Sequence, residues 1–373
     1  MRAALAVVVL VFLAAALPGM ARGTDAPGAL LPLGWTVSGP RVLALPAGTP
    51  GSPDGAGAVQ PAVFRAANGT YLMCYTGSGG FGLVILGAFS RDGITWTKLA
   101  GSITLANGAA SPFVMPVAGG YRMWFESVEG GVGPLGYTDR IYGATSNDGL
   151  NWTITGVVLD VGTGAAWDAG TVADPWVVQG PDGLYRMYYT MYAANGSIAI
   201  GVATSSDLVT FTKWSGNPVL LPGPAGSWDD AAVANPAVVS GSSWTLFYGG
   251  RTASGPNFIG LATSSDGYHW TRHPAPFLSA DLPGTWDSFD VGGPAYLAGS
   301  VSRLYFDGRN STGPSAIGFV NLTGSSSNSG PGGSVLGLPL ADFIFLIAFV
   351  GIGVAVLVVA VVALRNETRR RAR

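Results

Sequence analysis

WDAGTVADPWVVQGPDGLYRMYYT, residues 167–190, holds one full copy of the pattern from which the chain is built. A Trp-Asp corner (Trp167, Asp168) leads to Asp174-Pro175, which opens a β-branched strand. A Pro-Asp-Gly turn follows, and then a second strand that alternates Tyr185, Met187 and Tyr189 with their neighbours. Period-two alternation on both sides of such a turn reads as an antiparallel hairpin. The frame W-D-x-x-x-V-x-x-P returns without a gap at Trp228 (WDDAAVANPAVVSGSSWTLFYGG) and at Trp286 (WDSFDVGGPAYLAGSVSRLYFDG). Self-similarity of this kind marks a repeat architecture.

A second signature, A-x-S-x-D-x-x-x-[WF], closes each unit: Ala88-Ser90-Asp92-Trp96, Ala144-Ser146-Asp148-Trp152, Ala203-Ser205-Asp207-Phe211 and Ala262-Ser264-Asp266-Trp270. Its aromatic recurs after 56, 59 and 59 residues, the length of about four short strands with their turns. Ser and Asp hydrogen-bond the local backbone of a turn, and the aromatic is expected to pack between neighbouring sheets. Five prolines, Pro61, Pro112, Pro175, Pro236 and Pro294, each open an apolar strand. The fifth unit stops after its third strand, at 317–320, and Trp35 with its neighbours carries the missing fourth strand. The expected fold is therefore all-β: a five-bladed β-propeller whose last blade is closed by an N-terminal strand, which leaves no exposed sheet edge at the seam.

Charge and hydropathy place this unit. Residues 1–21 carry one basic residue, Arg2, then an apolar run and small residues before the end, and read as a secretory signal peptide. The propeller domain is assigned to 22–323 and a Gly/Ser-rich linker to 324–340. A single C-terminal transmembrane helix is assigned to 341–364, which includes 22 uncharged residues at 343–364, enough to span a bilayer. Arg365, Arg369, Arg370, Arg371 and Arg373 in the tail 365–373 place the C-terminus in the cytoplasm and the propeller outside the cell membrane. Residues 22–340 hold 13 basic and 19 acidic residues, which argues against a nucleic-acid partner. Cys74 stands alone and within a strand pattern, so it reads as a small buried hydrophobe. Sequons occur at Asn68, Asn151, Asn195, Asn310 and Asn321. Oligomeric state is not legible.

The five proline-opened strands, the Y-x-M-Y-Y second strand and the S-x-D-G-x-x-W turns resemble the five-bladed propellers of the arabinanase, levansucrase and invertase superfamily, glycoside hydrolase families 43, 32 and 68, over about residues 34–321. The resemblance implies a carbohydrate partner at an axial funnel, with catalytic carboxylates where the innermost strands begin. Glycoside hydrolysis needs two carboxyl groups, about 5–5.5 Å apart for retention or 6.5–9.5 Å for inversion. The residues before the five prolines are Gln60, Ser111, Asp174, Asn235 and Gly293, so only Asp174 is acidic. Gln60 and Ser111 stand where the resemblance implies two aspartates, and no glutamate precedes Pro175.

The expected acid-base pair is Asp174 with Glu126, which ends the second strand of its unit, and Asp307, at the equivalent place in the fifth unit, is the third candidate. Gln60, Ser111, Asn235, Trp176, Arg140, Arg251 and Arg309 are the candidate sugar or anion contacts. Asp168, Asp229 and Asp287 recur after the repeated Trp and read as structural corners that cap backbone N–H groups. Asp230 and Asp290 break the repeat. His269 and His273 form no zinc spacing. No cofactor is expected; a calcium ion in the channel would need converging oxygens that no spacing here defines. Two functions remain open, a membrane-anchored glycan-binding propeller that hydrolyses glycosidic bonds and a surface binding module that has lost its catalytic carboxylates. A sialidase-type propeller fits less well, because its Asp-box glycine stands two after the Asp and here Asp92-Gly93, Asp148-Gly149 and Asp266-Gly267 are adjacent.

Overall fold

The computed structural model describes residues 35–80, 82–103, 108–130 and 137–324. The expected signal peptide, the expected transmembrane helix, the basic tail and all of the assigned linker but its first residue lie outside them. Among the described residues no helix is long and apolar enough to cross a membrane. All regular structure there is β.

The chain begins with β1 (Thr36–Leu45) and then forms four antiparallel meanders. The first is β2 (Gly57–Arg65), β3 (Tyr71–Gly79), β4 (Gly82–Ser90) and β5 (Thr97–Ser102); the second is β6 (Ala109–Val117), β7 (Gly120–Gly130), β8 (Tyr137–Ser146) and β9 (Thr153–Leu159). The third is β10 (Thr171–Gln179), β11 (Tyr185–Tyr192), β12 (Ile198–Ser205) and β13 (Thr212–Lys213); the fourth is β14 (Ala232–Val239), β15 (Trp244–Arg251), β16 (Asn257–Ser264) and β17 (Thr271–Arg272). A single parallel pairing, Ile198 with Ala232, links these last two into one eight-stranded sheet. The last sheet is β18 (Asp290–Leu297), β19 (Ser302–Arg309) and β20 (Ala316–Thr323), with β1 paired antiparallel to β20 as its outer strand. The first strands of the five meanders touch in a closed cycle, β2 to β6 to β10 to β14 to β18 and back to β2.

The repeated signatures account for how the sheets are held. In each closing turn the Ser hydroxyl donates to the Asp carboxylate, 2.8 Å at Ser90 and Asp92, and accepts the N–H of Gly93 at 2.8 Å. The same carboxylate accepts the N–H groups of Ile94 and Thr95, which holds Asp92 down to about 2. The third turn places Leu208 at φ +64 where its siblings have Gly93, Gly149 and Gly267. The aromatic that follows packs on the second strand of the preceding sheet: Phe211 edge-on to Trp124, Trp270 to Tyr188 and Trp96 to Tyr305. Trp35 does the same for the last sheet, against Phe247, with its indole N–H donated to Thr245. The N-terminal strand thus supplies both the backbone edge and the aromatic that the fifth unit lacks.

The Trp-Asp corners do not cap backbone N–H groups as expected. Asp168, Asp229 and Asp287 each reach a cation on the outermost strand of their sheet, Lys213 at 2.5 Å, Arg272 at 2.6 Å and Arg41 at 2.9 Å. Asp54, which follows Pro53 rather than Trp, joins them through Lys98 at 2.5 Å. Tyr75, Tyr189 and Tyr248 donate to these carboxylates from the second strand, whereas Phe306 takes that place in the last sheet. Each corner therefore ties the start of a sheet to its outer edge through a buried ion pair. Cys74 is buried and free, with its thiol pushed up to about 12 by desolvation, so it serves as a packing residue.

Candidate ligand-binding site

Each first strand is broken at its X-Pro by a register shift, and each X residue lies in the left-handed region: Gln60 at φ +51, Ser111 at +48, Asp174 at +50, Asn235 at +50 and Gly293 at +51. This conformation is disfavoured before proline and for any residue with a Cβ, at about 1–3 kcal/mol each. It turns five consecutive bulges toward the axis, where the X-Pro pairs and Trp176 line a common space of about 30 Å³, room for water and not for a sugar.

The strained N–H groups are held by a belt of side chains. Gln60 N–H donates to Asp307 Oδ2 at 3.0 Å, Ser111 N–H to Thr76 Oγ1 at 2.8 Å, Asp174 N–H to Glu126 Oε2 at 3.1 Å and Asn235 N–H to Thr190 Oγ1 at 3.0 Å. Every acceptor sits on the second strand of the preceding sheet, opposite the residue before X: Val59 with Thr76, Ala110 with Glu126, Ala173 with Thr190 and Gly292 with Asp307. The fifth such place, opposite Ala234, is Gly249, which has no side chain to offer Gly293.

Asp174 and Glu126 do come together, and Ser111 lies between them. Ser111 Oγ is 2.8 Å from Asp174 Oδ1 and 3.0 Å from Glu126 Oε1. Asp174 Oδ1 also accepts Gln60 Nε2 at 3.0 Å, and its Oδ2 accepts the Thr190 hydroxyl at 2.7 Å. Both carboxyls are buried. Desolvation, then the charges of Asp174 and Asp139, push Glu126 well above the usual carboxylate range; desolvation also raises Asp174 against its hydrogen bonds. A hydroxyl has one proton, so a protonated Glu126 that donates to Ser111, which donates to Asp174, satisfies all three. With Ser111 in the gap, no glycosidic bond can sit between the two carboxyls.

A space large enough for a ligand lies beside this network. A cavity of about 220 Å³ opens between the fourth and fifth sheets, lined among others by Gln60, Asn235, Gly249, Arg251, Gly293 and Asp307. Two missing side chains make it: Gly249 leaves the belt open, and Gly293 leaves room for Asp307, whose Oδ2 would lie 2.1 Å from a Cβ built there. Burial, with the nearby charges of Asp290 and Asp174, pushes Asp307 up to about 7 despite its bond from Gln60 N–H. Asp290 is held outside the lining by Asn257 at 3.1 Å and Arg309 at 3.5 Å. Among the described residues Arg251 has no ion pair and no side-chain hydrogen bond.

The other expected contacts are elsewhere. Trp176 donates to Val238 O at 2.8 Å and packs on Phe113, so it fills the axial channel rather than the cavity. Arg140 pairs with Asp160 at 2.7 Å away from both spaces. Asp230 accepts the N–H of Gly226 in a local turn. Among the described residues no cluster of three or more His, Cys, Asp or Glu is arranged to hold a metal ion.

No protein-family model matches the chain. It is similar to the uncharacterized protein Rv1502 of Mycobacterium tuberculosis, 38% identical over 125 residues; the match covers 29% of this chain and 38% of that protein's length. Among solved structures, one described as a glycoside hydrolase superposes with a TM-score of 0.62 at 18% identity, over 80% of this chain and 96% of the other. A thermostable family-43 glycoside hydrolase gives 0.57 at 18% identity, over 75% and 95%. The β-1,2-mannobiose phosphorylase of Listeria innocua, in its β-1,2-mannobiose complex, gives 0.55 at 16% identity, over 73% and 90%. The fold is that of the glycoside-hydrolase β-propellers. Identities this low speak to fold alone, and the propeller's own site has to be read from its residues. Of the residues singled out from the sequence, Asp174, Glu126 and Gln60 meet at the axis, and Gln60, Asp307 and Arg251 line the cavity. Sequence reading missed Gly249 and Gly293 as a pair, although aligning the second strands as Thr76, Glu126, Thr190, Gly249 and Asp307 marks the gap.

Proposed function

We propose that the chain is a five-bladed propeller, displayed outside the cell on one C-terminal membrane helix, that binds a glycan without cleaving it. The observation that carries this reading is the division of labour among the acids. Asp174 and Glu126 are bridged by Ser111 and committed to the axial network, while the cavity of about 220 Å³ beside it has one lining carboxyl, Asp307, and the wider groove along Met115 to Arg122 has none. Hydrolysis needs two carboxyls flanking one bond. Gln60, Asn235, Arg251 and Asp307 offer the few convergent polar groups that orient a sugar in a pocket. The likeness to glycoside hydrolases and to a disaccharide phosphorylase supports carbohydrate as the ligand class. The signal-like residues 1–21 and the arginine-flanked apolar run 343–364 support the placement.

The test is a glycan panel scored for both binding and reducing-end release with the full-length chain in detergent. Saturable binding with no release, and no change on Asp174→Asn, is the expected result. Release that is lost in Asp174→Asn or Asp307→Asn would make the protein an enzyme and overturn the reading.

A further inference from the structure

We propose that the cavity between the fourth and fifth sheets takes a sugar carboxylate, as on a uronic acid residue, with Arg251 as counter-ion and the N–H of Gly293 as a fixed donor. This deepens the glycan-binding reading and rests on it. The belt supplies the first argument. Four of its five places present an oxygen to the N–H of the next sheet's bulge, and two of those four oxygens, at Glu126 and Asp307, belong to carboxyl groups. At Gly249 the place has no side chain, and Gly293 lines the void that results; the equivalence of the five bulges makes its N–H the donor left without a belt oxygen. An oxygen brought by a ligand completes the ring in the way Glu126 completes it two sheets earlier.

Arg251 supplies the second argument. The other cations that reach the sheet interiors are engaged, Arg41, Lys98, Lys213 and Arg272 by the corner aspartates and Arg122 and Arg303 by backbone carbonyls. Arg251 ends β15 two residues after Gly249, lines the same cavity and has no acidic partner among the described residues. A guanidinium beside a backbone donor is a fork suited to a carboxylate. Two acids stand near and weigh against an anion. Asp290 is offset by Arg309 and Asn257, and Asp307 already accepts the N–H of Gln60 while burial favours its neutral form, which adds a donor to the cavity. The remaining lining, Gln60, Asn235 and Asn257, suits the hydroxyls of the same sugar.

The experiment titrates the full-length chain with gluco-, galacto- and mannuronate oligosaccharides, with the same chains after reduction of their carboxyl groups, and with inorganic phosphate. At least one uronate series is expected to bind, with its reduced form at least tenfold weaker. Arg251→Gln should abolish that discrimination. Gly249→Thr, which places in the void the hydroxyl that Thr76 and Thr190 supply elsewhere, should abolish binding with the urea midpoint unchanged. Equal binding of acid and reduced forms, or unaltered uronate binding in Gly249→Thr, overturns the carboxylate inference and leaves glycan binding standing. Binding of phosphate alone overturns it as well. If no glycan of either kind binds, both readings fall.

Discussion

Ser111 holds a single proton between two carboxyl groups that burial has pushed upward, and its N–H is in turn fixed by Thr76. Removing its hydroxyl leaves Asp174 Oδ1 without that donor and the Glu126 proton without its acceptor. Ser111→Ala is expected to destabilise the protein by about 1–3 kcal/mol, the cost of a buried polar group left without its partner. The loss should be larger at pH 8 than at pH 5, because the Glu126 proton is harder to keep and two unbridged carboxylates then face each other; a loss of equal size at both pH values would count against the proton-sharing arrangement. The X-Pro residues could be picked from the sequence because proline marks a strand start. Their left-handed φ could not, since nothing in a Gln-Pro or Ser-Pro dipeptide requires it and the dipeptide itself disfavours it. Asp174 was visible as the one acid among the five pre-proline residues, and Glu126 and Asp307 as equivalent ends of second strands, whereas Gly249 was not, because the lack of a side chain carries information only once the register around it is known.

At the scale of the element, the corner ion pairs lock each sheet from its inner start to its outer strand. Asp229 is held by Tyr248 at 3.0 Å, Ser227 at 2.9 Å and Arg272 at 2.6 Å, as Asp54 is by Tyr75, Ser52 and Lys98, and the Asp229 side chain is fully buried. Breaking one partner of a buried pair leaves an uncompensated charge and costs about 3–5 kcal/mol. Arg272→Met leaves the buried Asp229 carboxylate without its counter-ion and should lower stability by about that amount, measured by urea denaturation, whereas Asp229→Ala leaves a partly exposed guanidinium that still donates to Leu221 O and should cost less. Equal losses in the two variants would show that packing, not charge, governs the corner. The corner itself was legible in three copies as Trp-Asp. Its fourth, Asp54, was hidden because Pro53 replaces the Trp; the cations follow their acids by 44, 45 and 43 residues at Lys98, Lys213 and Arg272, but vary between Lys and Arg, and in the last sheet Arg41 comes from the other end of the propeller.

Across the whole molecule the acids fall into two populations with opposite effects on stability. Asp92, Asp148, Asp207 and Asp266 in the closing turns are held low by their hydrogen bonds. Their contribution is present above the unfolded value near 3.8 and is lost as pH falls through the folded values, so it changes only in strong acid. Glu126, Asp139, Asp174 and Asp307, around the axis, are all raised, chiefly by desolvation, Asp307 to about 7. Between the unfolded carboxylate range and their raised values the folded chain keeps protons that the unfolded chain has released, so stability falls as pH rises. The full-length chain should thus lose at least about 2 kcal/mol of unfolding free energy between pH 5 and pH 7.5, with urea midpoints as the measure. Asp307→Asn keeps an acceptor for the Gln60 N–H and removes the titration, so it should flatten that slope in its upper part, near pH 7, and leave the acid limb of the closing turns unchanged. A rise in stability from pH 5 to pH 7.5 would mean that the axial carboxyls are ionised in the folded state, and the proton-sharing network at the centre of the propeller would have to be abandoned.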